Sequence, residues 1–123
     1  MFLEALVSDK RADPRSLLPL TPAVFHILLA LADEDRHGFG IADDVAAATE
    51  GAVQLGPGTL YGTLVRMTEA GFVVEVPRPD ADRRRRYFRL TPLGRDVAKA
   101  ESRRLEQLLA IARAKSLITR GRP

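Results

Sequence analysis

The amino-acid sequence predicts a mainly helical fold with one small β-hairpin, an α+β architecture in which the strands form the minor part. Hydrophobic residues recur every three or four positions in four separate stretches, which is the spacing of helices that bury one face. Only two short runs, residues 72–76 and 87–90, are β-branched or aromatic. With 123 residues, 46% of them hydrophobic, the chain can bury the core of one domain.

Composition argues against several classes of site. The chain has no cysteine and therefore no disulfide, and its two histidines stand outside metal-ligand spacing. We expect no metal site and no cofactor. We also expect no enzymatic activity, because no nucleophile–base pair or carboxylate pair is evident. The longest apolar run, residues 27–32, is too short for a membrane span, and the N-terminus lacks the order of a signal peptide. These features predict a cytoplasmic protein without membrane contact.

The N-terminal part is predicted to begin with a marginal helix and a linker, residues 1–19. Thr21 and Pro22 then form a good helix start, because threonine can cap a helix and proline suits its first turn. This helix extends to about Ala32. Apolar residues cover most of its circumference, so we expect it at the centre of the fold.

The next two helices form a helix-turn-helix pattern. One short helix begins near Phe39 and ends before Gly51, and another occupies residues 56–71. Pro57 suits the first helical position of the latter, and Gly71 suits a left-handed stop. Two helices joined by a short turn, with a slim and capped second helix, are typical of this motif.

The second helix of this motif has two different faces. Leu60, Leu64 and Met67 stack on one side at spacings of four and three, so they can bury together. The other side is predicted to be small and polar, which suits entry into a DNA groove. The candidate DNA-contacting residues here are Gly58, Thr59, Tyr61, Gly62, Thr63 and Arg66.

Within this set, Thr63 and Arg66 are expected on the exposed face, where at least one of them contacts a base edge. Tyr61 lies at the edge of that face, where either its hydroxyl contacts a phosphate or its ring packs half-buried. A solvated amphipathic helix is the alternative interpretation of the stretch. A nucleotide-binding loop is disfavoured, because Tyr61 occupies the position of the third glycine and no phosphate-loop lysine follows.

The two predicted strands form a hairpin with a basic loop. Residues 77–86 separate them and contain two prolines and an Asp-Ala-Asp turn signal. Residues 78–89 hold six arginines against two aspartates, whereas residues 33–50 hold six acidic residues against one arginine. The loop arginines are candidate phosphate contacts: Arg83, Arg84, Arg85 and Arg86. A hairpin after a helix-turn-helix is a wing, so residues 20–91 are predicted to form a winged helix-turn-helix domain.

The C-terminal part is predicted to be one long helix. Thr91 and Pro92 repeat the cap-and-proline start, and the helix continues to about Ser116. Its apolar stripe reaches further than a core of this size can cover, which predicts packing against a second chain. The candidate dimerisation residues are Leu105, Leu108, Leu109 and Ala112. Residues 92–123 are therefore expected to provide a dimerisation helix and a basic tail.

Several motifs between residues 20 and 99 occur in a specific combination. His-Gly-Phe-Gly-Ile occupies residues 37–41, Gly-Thr-Leu-Tyr residues 58–61, and Arg-Arg-Tyr-Phe-Arg-Leu-Thr-Pro-Leu-Gly residues 85–94. Together they resemble the PadR-like family of winged-helix transcriptional regulators. The resemblance implies homodimers that bind operator DNA, usually as repressors, and that dimerise through a C-terminal helix. It also implies release from DNA when a small aromatic or cationic effector binds.

The predicted function is therefore that of a sequence-specific, DNA-binding repressor that recognises an inverted repeat as a homodimer. A winged-helix protein-interaction module is the alternative. Its docking surface would be the acidic helix that begins near Phe39. Asp43 and Asp44 on that helix would repel phosphate, so they either face away from DNA or limit non-specific binding.

Overall fold

The computed structural model describes residues 13–78 and 85–119. The predicted N-terminal helix, the loop arginines Arg83 and Arg84, and the last residues of the basic tail lie outside this part of the chain. Its elements in chain order are a short 3-10 helix at Pro14–Leu17, α1 at Pro22–Ala30, β1 at Arg36–His37, α2 at Gly38–Ala48, α3 at Pro57–Glu69, β2 at Val73–Val76, β3 at Tyr87–Leu90 and α4 at Pro92–Ala114.

The helices begin and end where local sequence signals place them. The Thr21 hydroxyl accepts a hydrogen bond from the Val24 N–H, and Thr91 caps α4 in the same way. A proline opens α1, α3 and α4. Gly71 follows α3 with a φ of +84°, a left-handed conformation that glycine adopts without strain. The predicted starts of these three helices and the glycine stop after α3 are confirmed, whereas α1 and α4 each end two residues before the predicted Ala32 and Ser116.

The sheet has one strand more than the predicted hairpin. β2 and β3 pair antiparallel as expected, with Val73 opposite Leu90. The short β1 adds to the other edge of β3, with Arg36 opposite Phe88, so the strand order is β1-β3-β2. A strand of two residues is too short to show alternation, which explains why sequence patterning misses it. Its pairing joins the start of α2 to the wing, which consists of β2, β3 and the loop between them.

One hydrophobic core lies between the helices and the inner face of the sheet. Each large apolar side chain buried there contributes about 1.5 to 3 kcal/mol relative to exposure. The start of α4 approaches the sheet so closely that a β-carbon on Gly94 would collide with the Phe72 carbonyl. The large side chains of the core are Ile27, Leu28, Leu31, Ile41, Val45, Leu60, Leu64, Met67, Phe72, Val73, Phe88, Leu90 and Val97.

The long helix α4 belongs to this core only in its first half, which ends near the buried carboxylate of Glu101. That carboxylate accepts hydrogen bonds from Arg104 Nε at 2.6 Å and from the Leu20 N–H at 3.1 Å. The Arg104 guanidinium holds the pKa of Glu101 below its ordinary value against the opposing effect of burial. Glu101 therefore ties the segment before α1 to α4.

Within residues 13–78 and 85–119, no helix combines the length and apolar content needed to cross a lipid bilayer. The same part of the chain brings together no group of three or more histidine or acidic side chains that could hold a metal ion.

Candidate nucleic-acid interface

The second helix of the helix-turn-helix motif, α3, is hereafter called the reading helix, and its faces are set by helical geometry. Leu60, Leu64 and Met67 are buried, as predicted. The opposite face is centred on Gly58, Gly62 and Val65, because these positions lie about half a turn away from the buried set. Thr59 and Arg66 flank this face on one side, and Tyr61 flanks it on the other.

The expectation that Thr63 lies on the exposed face is wrong. Thr63 is only 1% exposed. Thr63 follows Leu60 by three positions and precedes Met67 by four, so it continues the buried stripe. Its hydroxyl accepts a hydrogen bond from Arg66 Nη2 at 3.2 Å, which makes its burial tolerable. Thr63 therefore positions Arg66 and has no access to a base.

Arg66 is exposed, as predicted, and its side chain has a defined direction. The hydrogen bond to Thr63 holds one end of the guanidinium against the helix. The other end lies beside Gly62, where Nη1 is 3.8 Å from the place a β-carbon would take. The remaining N–H groups of the guanidinium can therefore donate to an acceptor on a partner.

Val65 is a surface residue that the sequence interpretation missed. It is 52% exposed and stands at the centre of the outer face of the reading helix, between Gly62 and Glu69. The missed signal was its spacing of three from Gly62 and seven from Gly58. A helical projection of all thirteen residues of the helix places Val65 there, whereas attention to polar residues alone does not.

Tyr61 is half-buried against the start of α2. A β-carbon on Gly38 would overlap with the Tyr61 hydroxyl, so the absence of a side chain at Gly38 makes room for the ring. Of the two roles predicted for Tyr61, the structure thus shows the half-buried packing of its ring. Because the hydroxyl lies at the first residue of α2, Tyr61 links the two helices of the motif.

The wing arginines in the described residues have different partners. Arg86 forms two hydrogen bonds to the Glu75 carboxylate on the neighbouring strand, at 3.2 and 2.9 Å, and lowers the pKa of Glu75. Arg89 pairs with Asp35 at 2.8 Å. Arg85 instead lies beside the imidazole of His37, with Nη1 at 3.4 Å from Nε2. Arg86 and Arg89 thus brace the wing, and Arg85 sits at its junction with α2.

The acidic segment before and within α2 is partly offset by ion pairs to one arginine. Arg36 contacts Asp33, Glu34 and Asp44, each at 3.3 Å. The Asp44 carboxylate therefore points to Arg36. Asp43 is exposed, and its negative charge raises the pKa of His37 against the effects of burial and Arg85.

The second half of α4 leaves the body of the protein. Of the candidate dimerisation residues, Leu108 and Leu109 are 49% and 44% exposed, and Leu105 and Ala112 are partly covered. The buried face of the first half continues along the second, because its positions alternate at spacings of four and three. This seam consists of Gly94, Ala98, Glu101, Leu105, Leu108 and Ala112.

Comparison with known proteins agrees with this geometry. The sequence profile of the transcriptional regulator PadR-like family matches residues 27–100, which is more than half of the chain. A transcriptional regulator of Mycobacterium tuberculosis is 36% identical over 83 residues, which cover 68% of this chain and 75% of that protein.

Solved structures share the fold. A PadR family transcription regulator from Clostridium difficile has a TM-score of 0.65 at 20% identity, covering 76% of this chain and 97% of that chain. A transcriptional regulator from Clostridium thermocellum has a TM-score of 0.64 at 22% identity, covering 75% and 87%. These likenesses confirm the winged-helix fold. The profile match and the Mycobacterium tuberculosis relative establish that this protein is a member of the PadR-like family of transcriptional regulators and not an enzyme.

Proposed function

We propose that the protein is a sequence-specific DNA-binding repressor that recognises an inverted-repeat operator as a homodimer. The observation that carries this proposal is the outer face of the reading helix, where neither Gly58 nor Gly62 adds a side chain between the flanks formed by Thr59 and Arg66 on one side and Tyr61 on the other. A helix of this width can lie close to the floor of a major groove and donate hydrogen bonds to base edges.

The contacts on this face divide by chemistry. Arg66 donates to base acceptors, and removing such a hydrogen bond costs about 1 to 3 kcal/mol and relaxes specificity at one position. Val65 replaces Thr63 as the second candidate, because an exposed aliphatic group can contact the methyl group of thymine. Thr59 and the wing-loop arginines Arg83, Arg84 and Arg85 serve the phosphate backbone, which orients the protein without carrying sequence information. Tyr61 and Arg86 support this surface through their contacts with Gly38 and Glu75.

Dimerisation rests on the seam of α4. Leu108 and Leu109 leave apolar surface in water in a single chain, as does Ile111, which is 53% exposed. Burial of a leucine contributes about 1.5 to 3 kcal/mol, so a few positions doubled by two-fold symmetry can offset the cost of association. Two reading helices related by that axis would meet half-sites about one DNA turn apart. The division into residues 1–19, 20–91 and 92–123 follows from this proposal.

A groove beside the start of the proposed dimer helix suits a small effector. It encloses about 510 Å³ between the 3-10 helix and α4. Arginines contribute to its lining, namely Arg15, Arg103 and Arg104. Of the two effector classes that the family resemblance implies, this chemistry favours a small aromatic acid over a cation.

The alternative of a protein-interaction module uses the acidic surface of α2 as the docking site. One carboxylate of that helix, Asp44, is paired with Arg36, whereas Asp43 is exposed. A test of DNA binding therefore decides between the two functions.

A band-shift titration on the DNA upstream of the protein's own gene tests the proposal. Binding should be much stronger than to random DNA, and its logarithm should fall linearly with the logarithm of salt concentration. In the same assay, Arg66→Ala should weaken operator binding more than random binding. Equal and salt-independent affinities for both DNAs would favour the protein-interaction alternative.

A further inference from the structure

The imidazole of His37 is held in one tautomer by the start of α2. Its Nδ1 accepts a hydrogen bond from the Gly40 N–H at 3.1 Å. Burial lowers the pKa of His37 below its ordinary value, and the positive charge of Arg85 lowers it further, against the effect of Asp43. Because Nδ1 accepts the hydrogen bond from Gly40, it carries no hydrogen, so the ring is the neutral tautomer with its hydrogen on Nε2.

Arg85 presents a second donor at the same place. Its Nη1 lies 3.4 Å from Nε2 of His37. A guanidinium only donates, and Nε2 of this tautomer also donates, so the two groups cannot hydrogen-bond each other. Two converging N–H groups at this separation are satisfied by one acceptor that both can reach, and an anionic oxygen satisfies them best.

The surroundings keep this pair in position. The His37 ring packs edge-on against Tyr87, with centroids 5.2 Å apart, and the guanidinium of Arg78 lies 4.3 Å above Tyr87. The pairing of His37 with Tyr87 in the sheet fixes the backbone at both residues. Tyr61 of the reading helix contacts the next residue, Gly38. The donor pair thus stands where α2, the wing and the reading helix meet.

We propose that Nε2 of His37 and the guanidinium of Arg85 together bind one non-bridging oxygen of a DNA backbone phosphate. This inference rests on the proposed DNA-binding function and adds a contact that joins the start of α2 and the wing to one phosphate. His37 contributes a neutral hydrogen bond, and Arg85 contributes both a hydrogen bond and charge. The two residues therefore leave different signatures in the salt dependence of binding.

Two near-isosteric variants of His37 separate its roles. In His37→Asn, the amide oxygen takes the place of Nδ1 and caps Gly40, but the donor at Nε2 is lost. In His37→Gln, the amide nitrogen takes the place of Nε2, but the cap is lost. We expect His37→Asn to melt like the wild type and to bind both operator and random DNA about tenfold more weakly for each half-site contacted, as for a lost hydrogen bond to a charged group. His37→Gln should melt at a lower temperature and retain most of its affinity.

The salt slope and the DNA itself complete the test. His37→Asn should leave the slope of log affinity against log salt unchanged, whereas Arg85→Gln should make it shallower by about 1.8, or about 0.9 for each of the two half-sites. Single methylphosphonate substitutions along the bound DNA should identify one phosphate per half-site at which wild-type affinity falls. At that phosphate, His37→Asn and Arg85→Gln should each suffer a much smaller further loss.

Several outcomes would overturn the phosphate assignment. One is wild-type affinity in a folded His37→Asn protein, and another is a methylphosphonate scan in which neither variant is less sensitive than the wild type at any position. Failure of the proposed function looks different, because the wild-type protein would then show no salt-dependent preference for its operator at all.

Discussion

Two helices of this protein leave one face in water, and the two faces have opposite chemistry. The reading helix, α3, exposes Gly58 and Val65, with the half-buried Gly62 beside them. The second half of α4 exposes Leu108, Leu109 and Ile111. The reading helix buries its other side in the core, whereas the second half of α4 has no buried residue, so the two surfaces differ in what each can bind.

The two surfaces suit different partners. Glycine adds no side chain between the helix and a groove, and arginine donates to acceptors that water would otherwise occupy. Exposed leucines form no hydrogen bonds, and they gain free energy only when another apolar surface removes them from water. A surface for a polar, hydrated partner and a surface for a second copy of the chain are thus separated along the molecule.

The largest effect is expected from breaking the apolar surface. Leu108→Asp with Leu109→Asp should give a folded monomer, because neither side chain belongs to the core. We choose this pair over Leu105, which is partly covered in a single chain. Operator affinity should fall by about 100-fold or more, since binding to the second half-site ceases to be intramolecular. Sedimentation and band-shift titration measure the two effects.

The matched control places two carboxylates on the opposite face of the same helix. Ala110→Asp with Ala114→Asp changes two exposed positions and should leave a dimer that binds its operator. A Leu108 and Leu109 double variant that still sediments as a dimer would place the interface elsewhere.

The second largest effect should come from filling the reading surface. Gly62→Leu adds bulk where a β-carbon would meet only the end of Arg66, so the fold should tolerate it. It should keep the reading helix from the groove floor and cost about 1 to 3 kcal/mol for each hydrogen bond to a base that can no longer form. Gly62→Ala is the control: it should raise the free energy of unfolding by about 0.5 to 1 kcal/mol and impair binding less. Operator affinity unchanged by leucine would show that Gly62 does not face DNA.

The next variant tests where the core part of α4 ends. Glu101→Ala leaves Arg104 and the Leu20 N–H without their acceptor and should lower the free energy of unfolding by about 2 to 3 kcal/mol. Because the pKa of Glu101 is lowered by folding, its stabilisation is full above the ordinary glutamate value of about 4.3 and is lost as the pH falls below it. Chemical denaturation at pH 7 and pH 3.5 measures this difference. Glu106→Ala, an exposed neighbour, should change stability by less than about 0.5 kcal/mol.

The smallest effect concerns the apolar group within the polar surface. Val65→Ala should weaken operator binding by about 1 kcal/mol, as for the loss of one or two buried methyl groups. Replacing the contacted thymine by uracil removes the other partner of that contact. The two changes should not add in a double-mutant cycle, and full additivity at every thymine of the operator would remove Val65 from the recognition surface.

Local signals in the sequence were sufficient for most of the fold. Thr21 and Thr91 cap the helices that they were predicted to begin, and the β2–β3 hairpin forms between the runs that predicted it. These signals act within a few residues, so sequence spacing alone reveals them.

The features that sequence interpretation missed depend on contacts between distant residues. β1 is defined by its pairing with β3, and Glu101 is buried because Leu20 donates to it from 81 positions away. His37 and Arg85 are 48 positions apart, and neither carries a local signal for the other. Thr63 and Val65 were local errors, because the polar residue was assigned to the exposed face and the apolar one was overlooked there, both against their helical spacing.

The central claim is that one surface binds DNA while the other joins two chains, and the mass of the protein–DNA complex tests it most directly. Native mass spectrometry of the protein with its operator duplex should show two chains per duplex for the wild type. The Leu108→Asp and Leu109→Asp double variant should show one chain or none. A wild-type complex of one chain per duplex with full operator affinity would contradict the account.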